Sequence, residues 1–374
     1  MNINNLFILD QSSTKLNLTV GTYRRNGLPF VFNCVNRAKQ LILDTHHEYL
    51  PMEGNQEFLK KSKQLFLGEQ SEYEAIQTLS GTGALKLCAT VLKMCHGHDS
   101  IYVPSPTWGN HHNIFANSNL SVYEYGYLNA NKAFDFQYVF NEIVLIPNDN
   151  VILLQGCAHN PTGYDFTKSQ WRTIVELCSA KNLIVIIDVA YLGFASGDVE
   201  QDRTAINVFK DYPHPIFICT SFSKNFGLYG ERIGNLFFKC EQSTALKQYA
   251  LSIVRGSYSN PPCNGAKIIT TILSDKILSS MWADELTDVH THLVCIRTSL
   301  RAKLEKATGQ DFDDITRQQG MFYYSKLTPQ QIAVFYENHI YFPDNGRISI
   351  GGLNDENMDQ FVSVWVDAIQ ITKE

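Results

Sequence analysis

The chain has 374 residues, of which 44% are hydrophobic and 18% charged, and its formal net charge is −6. That length exceeds what one hydrophobic core usually serves, so two domains are expected, and the apolar content excludes a disordered protein. The negative balance excludes nucleic-acid binding by the bulk field, and an anionic substrate needs local arginines.

The nine cysteines are scattered without a CxxC pair, which predicts reduced thiols in a cytosolic protein. Cys95-His96-Gly97-His98 lacks a second ligand cluster at zinc spacing and reads as a polar helix end, so no metal is expected. Met1 to Ser13 has neither the basic and apolar regions of a signal peptide nor the arginines of a presequence. Apolar runs such as Leu183 to Ile187 are too short to span a membrane. A cytoplasmic location without membrane partners follows as the expectation.

In chain order, Asn17 to Tyr23 alternates around Gly21 as a short strand entering a turn. Val35 to Ile42 predicts a helix with Val35, Ala38, Leu41 and Ile42 on one face. Gln77 to Gly83 reads as a Gly-rich turn opening a helix at Ala84, whose free N–H groups suit an anion. Ser100 to Pro104 is a strand, followed by a loop that presents Trp108. The buried strand Asn150 to Gln155 ends in a strong turn through Asn160-Pro161. A helix over Gln170 to Ala180 precedes the apolar strand Asn182 to Tyr191, in which Asp188 is a charge that packing does not call for.

The apolar run Pro215 to Cys219 then leads into Ser221-Phe222-Ser223-Lys224-Asn225-Phe226-Gly227-Leu228-Tyr229-Gly230-Glu231-Arg232. Ligands in open α/β sheets sit outside the carboxyl ends of strands. A lysine there can attack a carbonyl, and hydroxyls with an arginine can hold a phosphate. Alone, Lys224 is more often a surface lysine in a polar loop. Next come a strand over Gly234 to Phe238, a helix over Ser243 to Ile253, a loop from Arg255 to Pro262, and helices over Ala266 to Leu273 and Met281 to Ala307. An α+β tail follows, with strands at Gly320 to Ser325, Ile340 to Phe342 and Arg347 to Ile350, a helix over Pro329 to Asn338, and a last helix over Glu356 to Thr372.

Together these signals give an amine, an acid, two phenols, an aromatic plate and an anion-binding turn, the parts a pyridoxal phosphate site requires. Seven motifs carry a resemblance to the class I aminotransferases, and within them to the aspartate branch: Ser80 to Gly83, Pro106 to His111, Cys157 to Gly163, Asp188 to Gly197, Ser221 to Arg232, Tyr258 to Pro262, and Gly346-Arg347. They keep the family's order over nearly the whole chain. The resemblance implies an α/β chain of the pyridoxal-phosphate-dependent transferase fold type I. A large domain with a mainly parallel seven-stranded sheet would take residues 31–288, and a smaller α+β domain residues 1–30 and 289–374.

The resemblance also implies roles. Lys224 resembles the Schiff-base lysine, Asp188 the partner of the pyridine nitrogen, and His111 the histidine behind that acid. Tyr191 and Asn160 match the donors to the ring oxygen, and Trp108 the ring stacked on the cofactor. Ser80, Gly81, Thr82, Ser221 and Arg232 match the phosphate cup, and Tyr49 the tyrosine that reaches a neighbouring subunit's phosphate. Arg347 matches the arginine on the substrate α-carboxylate. Gly21, Trp108 and Asn160 match further substrate contacts, and Arg255 the arginine that a neighbouring subunit sets on the distal carboxylate. Gln155 stands where the family usually has histidine, and Asn264 replaces a frequent histidine.

The implied activity is aspartate:2-oxoglutarate transamination giving oxaloacetate and glutamate, in a homodimer with shared active sites. An aromatic or broad-specificity aminotransferase is the alternative, and a noncatalytic protein on the same fold the more distant one.

Overall fold

The computed structural model describes residues 3–25, 27–68, 72–95 and 97–371. Met1, Asn2, His96 and Thr372, which the sequence readings included, lie outside them. The chain divides into two compact units, one of Val31–Cys157 and Phe166–Thr287, the other of Met1–Phe30, Ala158–Asp165 and Asp288–Glu374. Residues 158–165 cluster with the second unit although they fall within the expected 31–288 domain. They are tied there by Gln319 N–H, which donates to the Gly163 carbonyl at 2.6 Å. Gly163 has φ +66°, and a Cβ on it would meet Gln318 at 2.9 Å. Only glycine is at ease with both constraints.

The first unit is built on seven strands: β1 (Glu74–Leu79), β2 (Ser100–Ser105), β3 (Ser121–Gly126), β4 (Val151–Gln155), β5 (Ile184–Val189), β6 (Ile216–Ser221) and β7 (Ile233–Lys239). Their order across the sheet is β1-β7-β6-β5-β4-β2-β3. β7 runs antiparallel to both neighbours and the other pairings are parallel. Every residue of β4, β5 and β6 is buried, as their near-continuous apolar runs demand of strands covered on both faces. The edge strand β3 has only one buried residue, and Ser121, Glu124 and Gly126 interrupt its Val and Tyr side chains, which is why no apolar run announces it.

The helix Ser80–Cys95 buries Leu85, Leu87, Val91 and Leu92 in the core formed with β1, β2, β4, β5, β6 and β7. Each such side chain contributes about 1.5–3 kcal/mol, so the helix start is firmly placed. That helix begins at Ser80, directly after β1. The expected glycine turn is therefore its first turn, because Ser80 itself takes the left-handed conformation (φ +62°) that reverses the chain. The helix Ser243–Ser257 extends past the expected end and carries Arg255 in its last turn. In the helix Asn33–Leu41 the buried face is Cys34, Val35 and Ala38, while Leu41 is exposed.

The second unit holds short pairings: Leu16–Asn17 parallel to Ile340–Tyr341, and Phe322–Tyr324 antiparallel to Arg347–Ser349. The first is shorter than the strand expected over residues 17–23. Phe312, Tyr323, Phe335, Phe361 and Trp365 form its aromatic core. The helix Ile3–Leu9, which no periodicity announces, docks through Phe7 edge-on to Tyr341. Asp10 just beyond it accepts from the Tyr341 hydroxyl at 2.8 Å. No described helix is long and apolar enough to cross a membrane. All nine cysteines are free thiols.

Candidate active site

In the first unit the site gathers at the carboxyl ends of β5 and β6 and at the start of the helix Ser80–Cys95. Asp188 is the one charge in the buried strand β5. His111, fully buried in the first turn of the helix Asn110–Ala116, sets Nε2 3.0 Å from Asp188 Oδ2. Its Nδ1 lies 2.8 Å from Thr107 Oγ1, and Gln155 Nε2 donates to that same oxygen at 3.2 Å. Trp108 meets His111 edge-on, with ring centroids 5.2 Å apart.

Lys224 follows β6 in a turn closed by Gly227 N–H, which donates to the Lys224 carbonyl at 3.0 Å. Its Nζ lies 5.2 Å from the centroid of the Tyr191 ring. The residues two places before and after it, Phe222 and Phe226, are fully buried. Phe222 packs on Phe58 and Phe66, so both flanks of the lysine are anchored in the core. Tyr191 is held by the loop after β5. There Asp202 accepts from the N–H groups of Gly193, Ala195 and Ser196 at 2.7–3.0 Å. Burial raises the Asp202 pKa above the usual carboxylate value, and those hydrogen bonds oppose the shift.

Three hydroxyls converge at the helix start: Ser80 Oγ lies 2.9 Å from Ser221 Oγ and 3.0 Å from Ser223 Oγ. Arg232 extends a guanidinium nitrogen to 3.5 Å from Ser223 Oγ. A Cβ on Gly81 would sit 3.3 Å from the Ser221 side chain, so the bare glycine keeps the cradle open. Hydroxyls, a guanidinium and a helix N-terminus form a donor set for a phosphate. A carboxylate backed by histidine suits a protonated ring nitrogen, and the lysine amine suits a carbonyl carbon. Thr82 is half-buried in the same helix turn. Tyr49, 84% exposed, lines an open cavity of about 680 Å³ with Arg232 and Asn260. Arg255 is exposed and donates to Ser259 Oγ at 2.6 Å.

In the second unit, Arg347 donates to the Thr19 carbonyl at 2.8 Å and to Asn160 Oδ1 at 3.3 Å. Its guanidinium lies over the Phe322 ring, 4.3 Å from the centroid. Asn160 sits in a turn fixed by Asp165, which accepts from the N–H groups of Ala158 and His159. Gly21 has open space where a Cβ would stand. The structure thus brings Arg347 and Asn160 together in one unit, and Lys224, Tyr191, Asp188, His111 and the serine cluster in the other. Among the described residues no cluster of His, Cys, Asp and Glu is arranged to hold a metal ion.

Comparison with known proteins decides what this arrangement belongs to. The family model described as aminotransferase class I and II matches residues 13–364. The chain belongs to this family. This aminotransferase is 40% identical to the mitochondrial aspartate aminotransferase of Dictyostelium discoideum over 365 residues, covering 94% of this chain and 86% of that protein. It superposes on aspartate aminotransferase from Saccharomyces cerevisiae cytoplasm with a TM-score of 0.94 at 34% identity, covering 99% of this chain and 95% of the other. The broad-specificity aminotransferase from Leishmania mexicana gives a TM-score of 0.94 at 32% identity over 99% and 96% of the two chains. The seven-stranded, mainly parallel sheet is that of fold type I. The relatives come from both mitochondrion and cytoplasm, so they do not single out a compartment for this aminotransferase.

Four residues of the site had no role in the sequence reading. Ser223 lies inside the Ser221 to Arg232 stretch, where its alternation with Ser221 is the signal for a third hydroxyl. Thr107 likewise sat four residues before His111, a helical-turn spacing. Asp165 and Asp202 act through backbone N–H groups earlier in their own loops, and such side-chain-to-backbone closure follows no residue spacing that sequence announces.

Proposed function

We propose that the chain is a pyridoxal-phosphate-dependent aspartate:2-oxoglutarate aminotransferase working as a homodimer. The observation that carries this reading is the convergence at the carboxyl ends of β5 and β6 of Lys224, the Asp188–His111 pair and the Ser80–Ser221–Ser223 cluster. Bound there, pyridoxal phosphate supplies an aldehyde carbon and a ring that takes up electrons from the substrate Cα. Ser80, Gly81, Thr82, Ser221, Ser223 and Arg232 would hold its phosphate. Trp108 would cover its ring face, and Tyr191 and Asn160 would bond its ring oxygen. Asp188 keeps the ring nitrogen protonated, and His111 holds that carboxylate in place. Lys224 carries the proton to and from the substrate Cα.

Arg347 forks onto the α-carboxylate with Gly21 beside it. Asn160 and Thr19, which take its N–H groups here, keep the guanidinium oriented. Arg255 and Tyr49 are exposed on this chain and would serve the site of a second copy. Two arginines at opposite ends of the substrate let an acidic protein bind a dicarboxylate. Aspartate then leaves as oxaloacetate, and 2-oxoglutarate leaves as glutamate.

An aromatic or broad-specificity enzyme would share both arginines; in the resemblance, Thr82 and Asn260 favour the dicarboxylate enzyme. The free cysteines suit a reducing compartment, and the cytoplasm is the compartment in this reading. The test is a half-reaction screen: the cofactor's absorption is followed on adding aspartate, tyrosine or alanine without any acceptor. Rapid conversion by aspartate is the expected result. Preference for tyrosine would establish the broader enzyme, and the absence of a bound aldehyde cofactor would overturn the reading.

A further inference from the structure

We propose that Asn4, in the short helix at the start of the chain, is a positioning residue for Arg347 and acts on it through Thr19. The proposal rests on the reading of Arg347 as the arginine that takes the substrate α-carboxylate. All three residues belong to the second unit.

Regular strand bonding stops just short of Thr19. Leu18 N–H donates to the Tyr341 carbonyl at 2.8 Å, and the Leu18 carbonyl accepts from Ser349 N–H at 3.0 Å. Thr19 is held by side chains instead. Its N–H donates to Asn17 Oδ1 at 2.9 Å, and its carbonyl accepts from Arg347 at 2.8 Å. Its hydroxyl oxygen lies 2.7 Å from Asn17 Oδ1 and 2.6 Å from Asn4 Oδ1. Asn17 moves with the same stretch of chain. Asn4 is 15 positions away, so it ties Thr19 to a separate element. Two residues further on, Gly21 has no side chain to anchor the backbone from the other direction.

The helix Ile3–Leu9 is itself fastened. Lys15 Nζ donates to the carbonyls of Phe7 and Asp10 at 3.0 and 2.7 Å and stands 4.6 Å from the centroid of the Phe7 ring. A cation there satisfies carbonyls that a helix end leaves unpaired. Asp10 Oδ2 lies 2.8 Å from the Tyr341 hydroxyl and 2.9 Å from His339 Nδ1. The helix is therefore a strap, secured to Tyr341 at its end and to Thr19 at its first turn. Thr19 and Asn160 take two guanidinium nitrogens of Arg347, and the Thr19 bond is the shorter, 2.8 Å against 3.3 Å. A Thr19 carbonyl turned out of line would swing the fork from the plane in which two parallel N–H bonds meet a carboxylate.

The strap has a signature of its own. Every amino-acid substrate carries the α-carboxylate, whereas only a dicarboxylate has a distal group. Loosening the strap should weaken all substrates alike. The experiment measures Asn4→Ala holoenzyme by steady-state kinetics with aspartate and phenylalanine, and by calorimetry with succinate, a dicarboxylate that does not react. KM for both amino acids should rise about threefold to tenfold, the worth of one hydrogen bond between uncharged groups, and succinate affinity should fall by the same factor. Since the contact serves ground and transition states alike, kcat should stay within about twofold. Native succinate affinity would overturn the proposal, and so would a loss confined to aspartate.

Thr19→Val should be at least as weak a binder as Asn4→Ala, and Thr19→Ser, which keeps the hydroxyl, should restore binding. A Thr19→Ser as weak as Thr19→Val would count against the idea. Adding Asn4→Ala to Thr19→Val should cost nothing more; additive losses would place the effect of Asn4 outside Thr19. Arg347→Ala measured alongside separates the two readings. Native succinate affinity in that variant would overturn the role of Arg347 itself. A large loss there with none in Asn4→Ala would overturn the strap alone.

Discussion

Phe226 lies flat on Trp282, with ring centroids 4.6 Å apart and planes within 13°. Trp282 Nε1–H also donates to the Asn225 carbonyl at 2.7 Å, so one side chain grips the turn that carries Lys224 from two directions. Trp282→Ala should cost about 3–5 kcal/mol and weaken cofactor retention. Trp282→Phe keeps the stack without the hydrogen bond and should lose less. Urea unfolding with a cofactor titration checks both, and native retention in Trp282→Ala would show that the turn holds itself.

Arg255 ends the helix Ser243–Ser257, where its neighbour Ser259 orients the guanidinium. Arg255→Leu should reduce kcat/KM for aspartate by about tenfold to a hundredfold, the worth of hydrogen bonds to a charged group. Turnover of phenylalanine should change much less. Steady-state kinetics with both amino acids decides it, and unchanged aspartate kinetics would remove Arg255 from the substrate site.

Arg297 is buried, and among the described residues it has no carboxylate ion-pair partner. It donates to the carbonyls of Ile315, Gln319, Gly320 and Phe322 at 2.5–3.3 Å, and burial lowers its pKa to about 10. It therefore holds the segment that sets Phe322 beneath Arg347. Arg297→Met leaves several buried carbonyls unpaired and should cost about 3 kcal/mol or more. It should also raise KM for both dicarboxylate substrates. A stability change without any KM change would limit Arg297 to folding.

His292 Nδ1 lies 2.8 Å from the hydroxyl of Tyr23, whose pKa burial pushes up to about 12. Burial first, and then the charge of Arg25, lower the His292 pKa below its usual value, against the pull of Asp288 and Asp355. The unfolded chain therefore binds a proton more readily than the folded one. Stability should fall as the pH drops from about 6.5 toward the lowered folded value. A His292→Gln variant should lose that part of the slope in melting temperature between neutral and mildly acidic pH. Parallel slopes in the two proteins would reject this origin.

Much of this was legible because buried parallel strands and polar strand ends contrast sharply. The runs Val151–Gln155, Ile184–Val189 and Ile216–Ser221 announced themselves, and the chemistry follows directly behind them. β3 was invisible because an edge strand needs no apolar run, and the helix Ile3–Leu9 because it has no fully buried residue to set a period. Which hydroxyls meet was also beyond reading. Ser80 and Ser221 are 141 positions apart, and only the sheet order joins them.

That order has a consequence for how the protein is made. β7 is the antiparallel strand between β1 and β6, and it aligns Ile233 with Leu79 and Gly234 with Ser221. A Cβ on Gly234 would collide with the Thr220 carbonyl and the Ser80 backbone, so the seam closes only around a glycine. Until β7 slides into that gap, the two halves of the serine cluster are separate pieces of chain. The capacity to hold the cofactor therefore depends on a long-range pairing of the sheet, that of β1 with β7. Added cofactor should then rescue only chains that have already closed it, which makes cofactor uptake a reporter of completed folding.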